Sequence, residues 1–306
     1  MVFKMKNVLV AAPISSAFVY FLEQEGYRII ALSGAEVEYT CEGIITSNKL
    51  KLDRATLQKY PNVQWIARLG SGMEIIDTAY CKEKGIRYYS SPRGIANSVA
   101  EHAMGMVLNI LHRIHSSYRE IKNGEWIREP NRGTELSSKT VGIIGYGYTG
   151  KAFAAKLKAF TSSIWVYDKY LPDIHDPYVR SVQLDELQQH ADIISFHVPL
   201  NSETHHYYND TFLANTKPHI LLNTSRGAVC STETILHGLA QGSITAACLD
   251  VLEEEPYFPD LLKTPDNPVQ QLTQYPVLLT PHIAGYSFEA IERMSEELME
   301  QLKRPQ

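Results

Sequence analysis

Three glycines, Gly145, Gly147 and Gly150, stand between an apolar run beginning at Val141 and a helix-like stretch beginning at Lys151. A strand that turns so sharply into a helix makes a phosphate cradle. Gly145 permits the tight turn, Gly147 lets a pyrophosphate approach the backbone, and Gly150 lets helix and strand pack closely. The helix start adds free N–H groups and a positive dipole end. Three glycines alone also fit a simple turn, so the context matters. The next apolar run, Ser163-Ser-Ile-Trp-Val-Tyr-Asp168, ends in an acid 23 residues beyond Gly145, near the spacing of a ribose-binding carboxylate. An acid there accepts from both ribose hydroxyls and repels a 2′-phosphate. NAD is therefore favoured over NADP, although the neighbouring cation Lys169 would tolerate that phosphate.

Apolar runs alternate with amphipathic stretches along the whole chain, the pattern of doubly wound parallel α/β sheets. Strands are expected at Val8–Ala12, Arg28–Leu32, Gly43–Thr46 and Trp65–Leu69. A second series is expected at Val141–Gly145, Ser163–Tyr167, Ile193–His197, Ile220–Asn223, Ala246–Leu249 and Val277–Thr280. Helices are expected at Ser15–Gln24 and Asp53–Lys59, from Asn97 or Ser98 to about Glu120, and at 287–304. The polar stretch Asn123–Ser138, with Gly124, Pro130 and Gly133, reads as a connecting arm.

Length and charge narrow the function. The 306 residues predict about two domains. With 29 Lys and Arg against 34 Asp and Glu, the net charge of −5 offers no basic footprint for nucleic acid and no polybasic membrane patch. No apolar run approaches the roughly 18 residues needed to cross a bilayer. Pro13, Glu23 and Glu25 break the faint signal-peptide likeness of the N-terminus. Cys41, Cys81, Cys230 and Cys248 are far apart and read as free thiols, so a cytoplasmic protein is expected.

Ligands of an open α/β sheet sit at the carboxyl ends of its strands. Four expected ends carry chemistry: His197-Val198-Pro199, Asn223-Thr224-Ser225-Arg226-Gly227, Asp250 leading to Glu255-Pro256, and Thr280-Pro281-His282. Oxidation of a 2-hydroxy acid needs a cation to grip the carboxylate, a base to move the hydroxyl proton, and an acid to tune the base. Arg226, His282 and Glu255 are the candidates. Glu253 and Glu254 beside Glu255 compete for its assignment, and the Glu-Pro junction decides for Glu255.

With these residues in view, the sequence closely resembles the D-isomer-specific 2-hydroxyacid dehydrogenase family over nearly its whole length. The ordered matches include Gly70-Ser-Gly72, Asn97-Ser-Val-Ala-Glu101-His102, the glycine loop, and His197-Val-Pro-Leu-Asn-Ser-Glu-Thr204. They continue through Leu222-Asn-Thr-Ser-Arg226-Gly, Leu249-Asp250-Val, Glu255-Pro256 and Leu279-Thr-Pro-His282-Ile-Ala-Gly. The resemblance implies that His282 is the acid/base, that Glu255 pairs with it and raises its pKa, and that Arg226 binds the substrate carboxylate. It implies that Asp250 holds the nicotinamide carboxamide. Tyr148, Thr149, Asp168, Val198, Pro199, Thr204, Thr224, Ser225 and Arg226 match cofactor-contacting positions beside Gly145, Gly147 and Gly150. Backbone N–H groups of Leu69, Gly70, Ser71 and Gly72 would meet the substrate carboxylate.

The resemblance also implies a Rossmann NAD-binding domain, residues 98–285, inserted into a flavodoxin-like substrate domain, residues 1–97 and 286–306. A cleft between them would close to exclude water, and the long helix with its arm would form a homodimer. The chain departs from the common pattern at Ile44-Ile45-Thr46-Ser47, where many members carry an arginine, and at Cys230-Ser231. The 27-residue step from Glu255 to His282 is longer than usual and carries Tyr257 and Phe258, which read best as cover for an edge. No regulatory extension is expected after residue 306. Arg68, Arg93 and Lys49 discriminate the substrate, and the two arginines decide it. Pointing into the cleft they favour a phosphorylated or dicarboxylic acid; solvated, they favour a small 2-oxo acid such as glyoxylate, hydroxypyruvate or pyruvate. The reading leans slightly to 3-phosphoglycerate. Formate or phosphite oxidation is disfavoured by Glu255, and a non-catalytic NADH-sensing protein is the alternative from another class. His112 and His115 read as a solvated face rather than a metal site, His205-His206 as a surface pair, and Cys230 and Cys248 as buried inert thiols.

Overall fold

The computed structural model describes residues 6–32, 40–171, 173–253, 255 and 262–304. The chain divides into two compact units, Met1–Ser98 with Gly285–Gln306, and Val99–Ala284. Both are parallel sheets wound on two faces.

In the first unit, β1 (Lys6–Ala11), β2 (Tyr27–Ala31), β3 (Gly43–Thr46), β4 (Trp65–Arg68) and β5 (Arg87–Ser90) lie in the order β2-β1-β3-β4-β5. Successive strand residues point to opposite faces, and here both faces are apolar. Val8, Ile45, Trp65 and Ala67 join Phe18 and Leu22 of the helix Ser16–Gln24 and Met294 and Leu298 of the helix Phe288–Lys303. Leu9, Ile44 and Ile66 fill the other face with Leu57, Tyr80 and Cys81. Gly43 is required by the Trp65 ring, which lies 2.1 Å from where a Cβ would stand. The strand β5 escaped the sequence reading because Arg87-Tyr-Tyr-Ser carries no aliphatic run.

The second unit holds β6 (Val141–Ile144), β7 (Ile164–Tyr167), β8 (Arg180–Ser181), β9 (Ile193–Phe196), β10 (His219–Asn223), β11 (Ile244–Leu249) and β12 (Val277–Leu279). Their order is β12-β11-β10-β9-β6-β7-β8, so the winding reverses between β6 and β9. That reversal opens a crevice at the carboxyl ends, where such sheets bind their ligands. The two faces again alternate residue by residue: Val141, Ile143 and Leu222 enter one core, Ile144, Leu221 and Leu249 the other.

The long helix differs from expectation at both ends. It spans Pro92–Leu111, beginning before Asn97 because proline suits a first helical turn. It stops at Leu111 because the arm returns: Thr134 N–H takes the Leu111 carbonyl at 2.9 Å. Arg113 turns left-handed (φ 53°) and a second helix, Ile114–Lys122, follows. No helix among the described residues is long and apolar enough to cross a membrane. All four cysteines are free and buried.

Within the first unit, Gly94 lets the Pro92 helix touch the C-terminal helix, and a Cβ there would stand 2.5 Å from the Met294 backbone nitrogen. Glu297 reinforces the contact, accepting from Gly94 N–H at 2.8 Å and from Arg93 at 3.1 Å. Gly94→Ala is expected to cost about 1–3 kcal/mol through overpacking, read as a lowered midpoint in thermal or denaturant unfolding.

Candidate active site

The crevice begins at the glycine loop. Gly145 (φ 92°) could not carry a side chain, because its Cβ would lie 2.6 Å from the His197 carbonyl oxygen. A Cβ on Gly150 would lie 2.1 Å from the Gly145 carbonyl oxygen. Gly147 is different. Apart from its chain neighbours, no atom of the described residues lies within 4 Å of where its Cβ would stand, so the loop leaves open space there. Gly147 also caps the helix Tyr148–Leu157, and having no side chain it leaves the first-turn amides to a ligand. Asp168 follows β7. Its two carboxylate oxygens accept from Tyr146 N–H at 2.7 Å and Tyr170 N–H at 2.8 Å, which fixes the acid beside the glycine loop. The charge of Lys169 is met by Glu203 at 2.9 Å, and Tyr170 donates to the same carboxylate at 2.7 Å.

The segment after β9 carries His197, Val198, Pro199 and Thr204. His197 lies wholly inside the protein, where loss of solvation lowers its pKa to about 4, and its Nε2 meets Ser195 Oγ at 2.7 Å. It is a neutral structural group. Thr204 Oγ1 donates to the Pro199 carbonyl at 2.5 Å and accepts from Asn201 N–H at 2.9 Å, closing the turn. After β10, Asn223 shapes the Arg226 loop. Its Oδ1 accepts from Ser225 Oγ at 2.7 Å and Ser225 N–H at 3.0 Å, and its Nδ2 donates to the Arg226 carbonyl at 2.9 Å. Arg226 in turn donates to the Ser225 carbonyl at 2.6 Å. Thr224 Oγ1 is buried without a hydrogen-bond partner among the described residues. An orphaned hydroxyl, an open cradle at Gly147 and uncapped helix amides together fit a dinucleotide.

Beyond β11 and β12 the chain brings Glu255 and His282 together. His282 Nδ1–H donates to Glu255 Oε2 at 2.6 Å, and Glu255 Oε1 accepts from Leu252 N–H at 2.8 Å. His282 is left-handed (φ 55°), and its own N–H donates to the Asp250 carbonyl at 2.8 Å. The buried Asp250 carboxylate accepts from Thr280 Oγ1 at 2.5 Å, Ile283 N–H at 2.9 Å and Ala284 N–H at 2.9 Å. Asp250 thus grips the His282 turn from beneath. Thr280, having given its proton to Asp250, accepts from His102 Nε2 at 2.9 Å. The sequence places Asn223 and Thr280 at strand ends but assigns neither a role; their roles arise from loop closure, which leaves no spacing signature. Glu254, Pro256, Tyr257 and Phe258 lie outside the described residues.

In the first unit, the turn from Leu69 to Gly72 is partly committed. Leu69 N–H donates to the Thr46 carbonyl at 2.8 Å and Gly70 N–H to Ser91 Oγ at 3.0 Å. The Ser71 and Gly72 amides have no hydrogen-bond partner among the described residues. Arg68 is buried and donates to the Ser47 carbonyl at 2.7 Å, to Asn48 Oδ1 at 2.9 Å and to the Gly72 carbonyl. Arg93 pairs with Glu297 at 3.1 Å and Glu300 at 3.0 Å. All of these bonds lie within the first unit.

The remaining side groups resolve simply. Burial pushes the Cys230 and Cys248 thiols far above their ordinary range, so neither is a thiolate near neutrality. No metal-holding cluster of His, Cys, Asp or Glu occurs among the described residues. His206, expected on the surface, is partly exposed there and is also tied to Glu253 at 2.5 Å.

Comparison with known proteins agrees with this geometry. Residues 104–284 match the family profile described as "D-isomer specific 2-hydroxyacid dehydrogenase, NAD binding domain". A hydroxypyruvate reductase of Thermotoga maritima is 34% identical over 260 residues, covering 85% of this chain and 83% of that protein. A D-3-phosphoglycerate dehydrogenase of Archaeoglobus fulgidus is 31% identical over 293 residues, but this chain spans only 54% of its length. Among solved structures, D-lactate dehydrogenase from Aquifex aeolicus, complexed with NAD and lactic acid, superposes with a TM-score of 0.83 at 27% identity, over 97% of this chain and 94% of that one. The strand order, the glycine cradle and these matches agree that the chain belongs to the D-isomer-specific 2-hydroxyacid dehydrogenase family and is an NAD-dependent oxidoreductase acting on CH–OH donors.

Proposed function

We propose that Arg226, Glu255 and His282 carry the interconversion of a D-2-hydroxy acid and its 2-oxo acid. The observation that carries this reading is the Glu255–His282 hydrogen bond of 2.6 Å at the same sheet edge as the Arg226 loop. With Nδ1–H given to Glu255, the Nε2 of His282 faces the reaction: it takes the hydroxyl proton on oxidation and returns it on reduction. Glu255 holds the ring in that tautomer and stabilises the imidazolium. Arg226 grips the substrate carboxylate with a planar fork and polarises the carbonyl. Bound NAD supplies the hydride acceptor, and NADH the donor.

In this reading the amides around Gly145, Gly147, Tyr148, Thr149 and Gly150 take the pyrophosphate, and Asp168 takes the ribose hydroxyls. Asp168 beside the glycine loop supports NAD over NADP, since its carboxylate would repel a 2′-phosphate. Val198, Pro199, Thr204, Thr224 and Ser225 border the cofactor, with the Thr224 hydroxyl as the donor in need of a partner. Asp250 accepts three donors of the His282 turn and keeps acceptor capacity on its carboxylate for the nicotinamide carboxamide.

For the substrate, the engagement of Arg68 and Arg93 within their own unit favours a small unphosphorylated 2-oxo acid over phosphohydroxypyruvate. The phosphorylated substrate is the second reading, supported by the 31% identity to the Archaeoglobus fulgidus D-3-phosphoglycerate dehydrogenase. NADH consumption is to be followed across hydroxypyruvate, glyoxylate, pyruvate, a branched 2-oxo acid and phosphohydroxypyruvate, with NADPH alongside. Turnover of the small acids with NADH is expected. A clear preference for phosphohydroxypyruvate would return Arg68 or Arg93 to the substrate, and silence with NADH bound would leave a sensing protein.

Two substitutions test the roles. His282→Ala is expected to lower kcat by roughly 10²–10⁴-fold with NADH affinity kept; near-normal turnover would remove the acid/base assignment. Arg226→Lys is expected to lower kcat/KM by about 10–100-fold, the loss of a charge-assisted pair worth roughly 1.5–3 kcal/mol. Unchanged kinetics would remove the carboxylate grip.

A cytoplasmic homodimer completes the proposal. Four free buried thiols suit a reducing compartment. Ile114, Tyr118 and Ile121 share one face of the helix Ile114–Lys122 and are exposed, as is Trp126 at 81%. A second copy of this chain would cover them. Tyr118→Glu with Ile121→Glu is expected to yield a monomer by sedimentation; a wild-type chain already monomeric would exclude this interface.

A further inference from the structure

We propose that Glu253, locked by His206 and by the first amide of the helix Thr232–Gln241, is the positioning residue that sets Glu255 against His282. The proposal rests on the assignment of Glu255 and His282 as the reacting dyad. Glu253 stands two residues before Glu255, on the segment that leaves β11. One carboxylate oxygen accepts from His206 Nε2–H at 2.5 Å, and the other accepts from Thr232 N–H at 2.5 Å. Thr232 opens the helix Thr232–Gln241, and His206 lies in the loop between β9 and β10, so one carboxylate ties three separate segments together. The Thr232 and His206 bonds lower the Glu253 pKa against the opposing effect of burial. Burial holds the nearby Cys230 thiol neutral, and the exposed His205 ring stacks on His206 with centroids 4.1 Å apart.

A second, steric constraint acts on the same segment. A Cβ on Gly227 would stand 1.9 Å from the Leu252 carbonyl oxygen and 2.5 Å from the Glu253 nitrogen. The backbone next to Arg226 therefore lies directly against Leu252 and Glu253. Leu252 is also the residue whose N–H orients Glu255 Oε1, at 2.8 Å. The chain of contacts runs from His206 and Thr232 through Glu253 to the Leu252 backbone, then to Glu255, and then to His282 Nδ1. Glu255 has only that backbone amide and His282 as partners among the described bonds, so its placement depends on how firmly the segment is held. His206 adopts a left-handed backbone (φ 48°), and its N–H donates to the Ala228 carbonyl at 2.8 Å, which aims the ring at Glu253. A reading of Glu253 as one member of a solvated acidic run does not account for two short bonds from separate elements.

The test uses the whole protein and two readouts. The first is the downfield proton resonance of the His282 Nδ1–H···Glu255 bond, observed without substrate and assigned by its loss in His282→Ala. The second is kcat and KM with the best 2-oxo acid across pH. Glu253→Gln keeps the size but presents an NH₂ to one of two donors, so one anchor breaks. The expected result is a shifted or broadened resonance and a kcat lowered by roughly ten- to a hundredfold. The pH profile should move, while KM and NADH affinity change little. His206→Gln should act in the same direction, and the double variant should be less than additive. It also carries the test if Glu253→Gln fails to fold. An unchanged resonance and an unchanged pH profile in these variants would overturn the proposal. Glu255→Gln separates the two levels: if it leaves the resonance in place, the dyad itself is wrong; if it abolishes the resonance while the Glu253 and His206 variants do nothing, only the positioning role is lost.

Discussion

The buried Asp250 carboxylate is the charge around which the candidate site is assembled. A carboxylate away from water is costly unless hydrogen bonds replace its hydration. Here Thr280, Ile283 and Ala284 provide them, and all three belong to the segment that carries His282. Satisfying the charge therefore fixes the turn. The same turn forces His282 into a left-handed backbone, a conformation worth roughly 1–2 kcal/mol of strain in an L-residue. The Asp250 carbonyl bonded to His282 N–H and its carboxylate bonded to the next two amides hold it there. Placement of the imidazole is thus a consequence of solvating one buried acid.

Around that point the second unit builds its site from backbone closeness. A Cβ on Gly145 would collide with the His197 backbone after β9, one on Gly227 with the Leu252 backbone after β11, and one on Gly150 with the Gly145 carbonyl of its own loop. The first two contacts let loops from different strands meet without side chains between them. The parallel sheet supplies the rest, since β9 to β12 all end at one edge and hand their polar loops to the same crevice. Of the three loop glycines Gly145, Gly147 and Gly150, Gly147 is the one that keeps open space, which suits a group that is not part of the chain.

Much of this was legible beforehand because it is local. The alternation of apolar runs and amphipathic stretches follows from the period-two and period-3.6 geometries, and it located strands such as β3, β6 and β9 to within a residue. Elements with weak local signals escaped: β5 is Arg-Tyr-Tyr-Ser, and β8 is two residues long. The end of the long helix at Leu111 also escaped, because what ends it is Thr134, far along the chain.

The sequence by itself determined the doubly wound architecture, the glycine loop with Asp168, and the residue types gathered at the strand ends. These follow from spacing along the chain, which short-range geometry converts directly into structure. Only the tertiary structure decided that Arg68 and Arg93 are engaged inside their own unit, that Asp250 accepts from the His282 turn, and that His206 and Glu253 join across the loops of the second. Each of those outcomes depends on which donor meets which acceptor once distant segments are packed. A residue's partners across the fold are set by the closure of the sheet and its loops, and no local pattern encodes them.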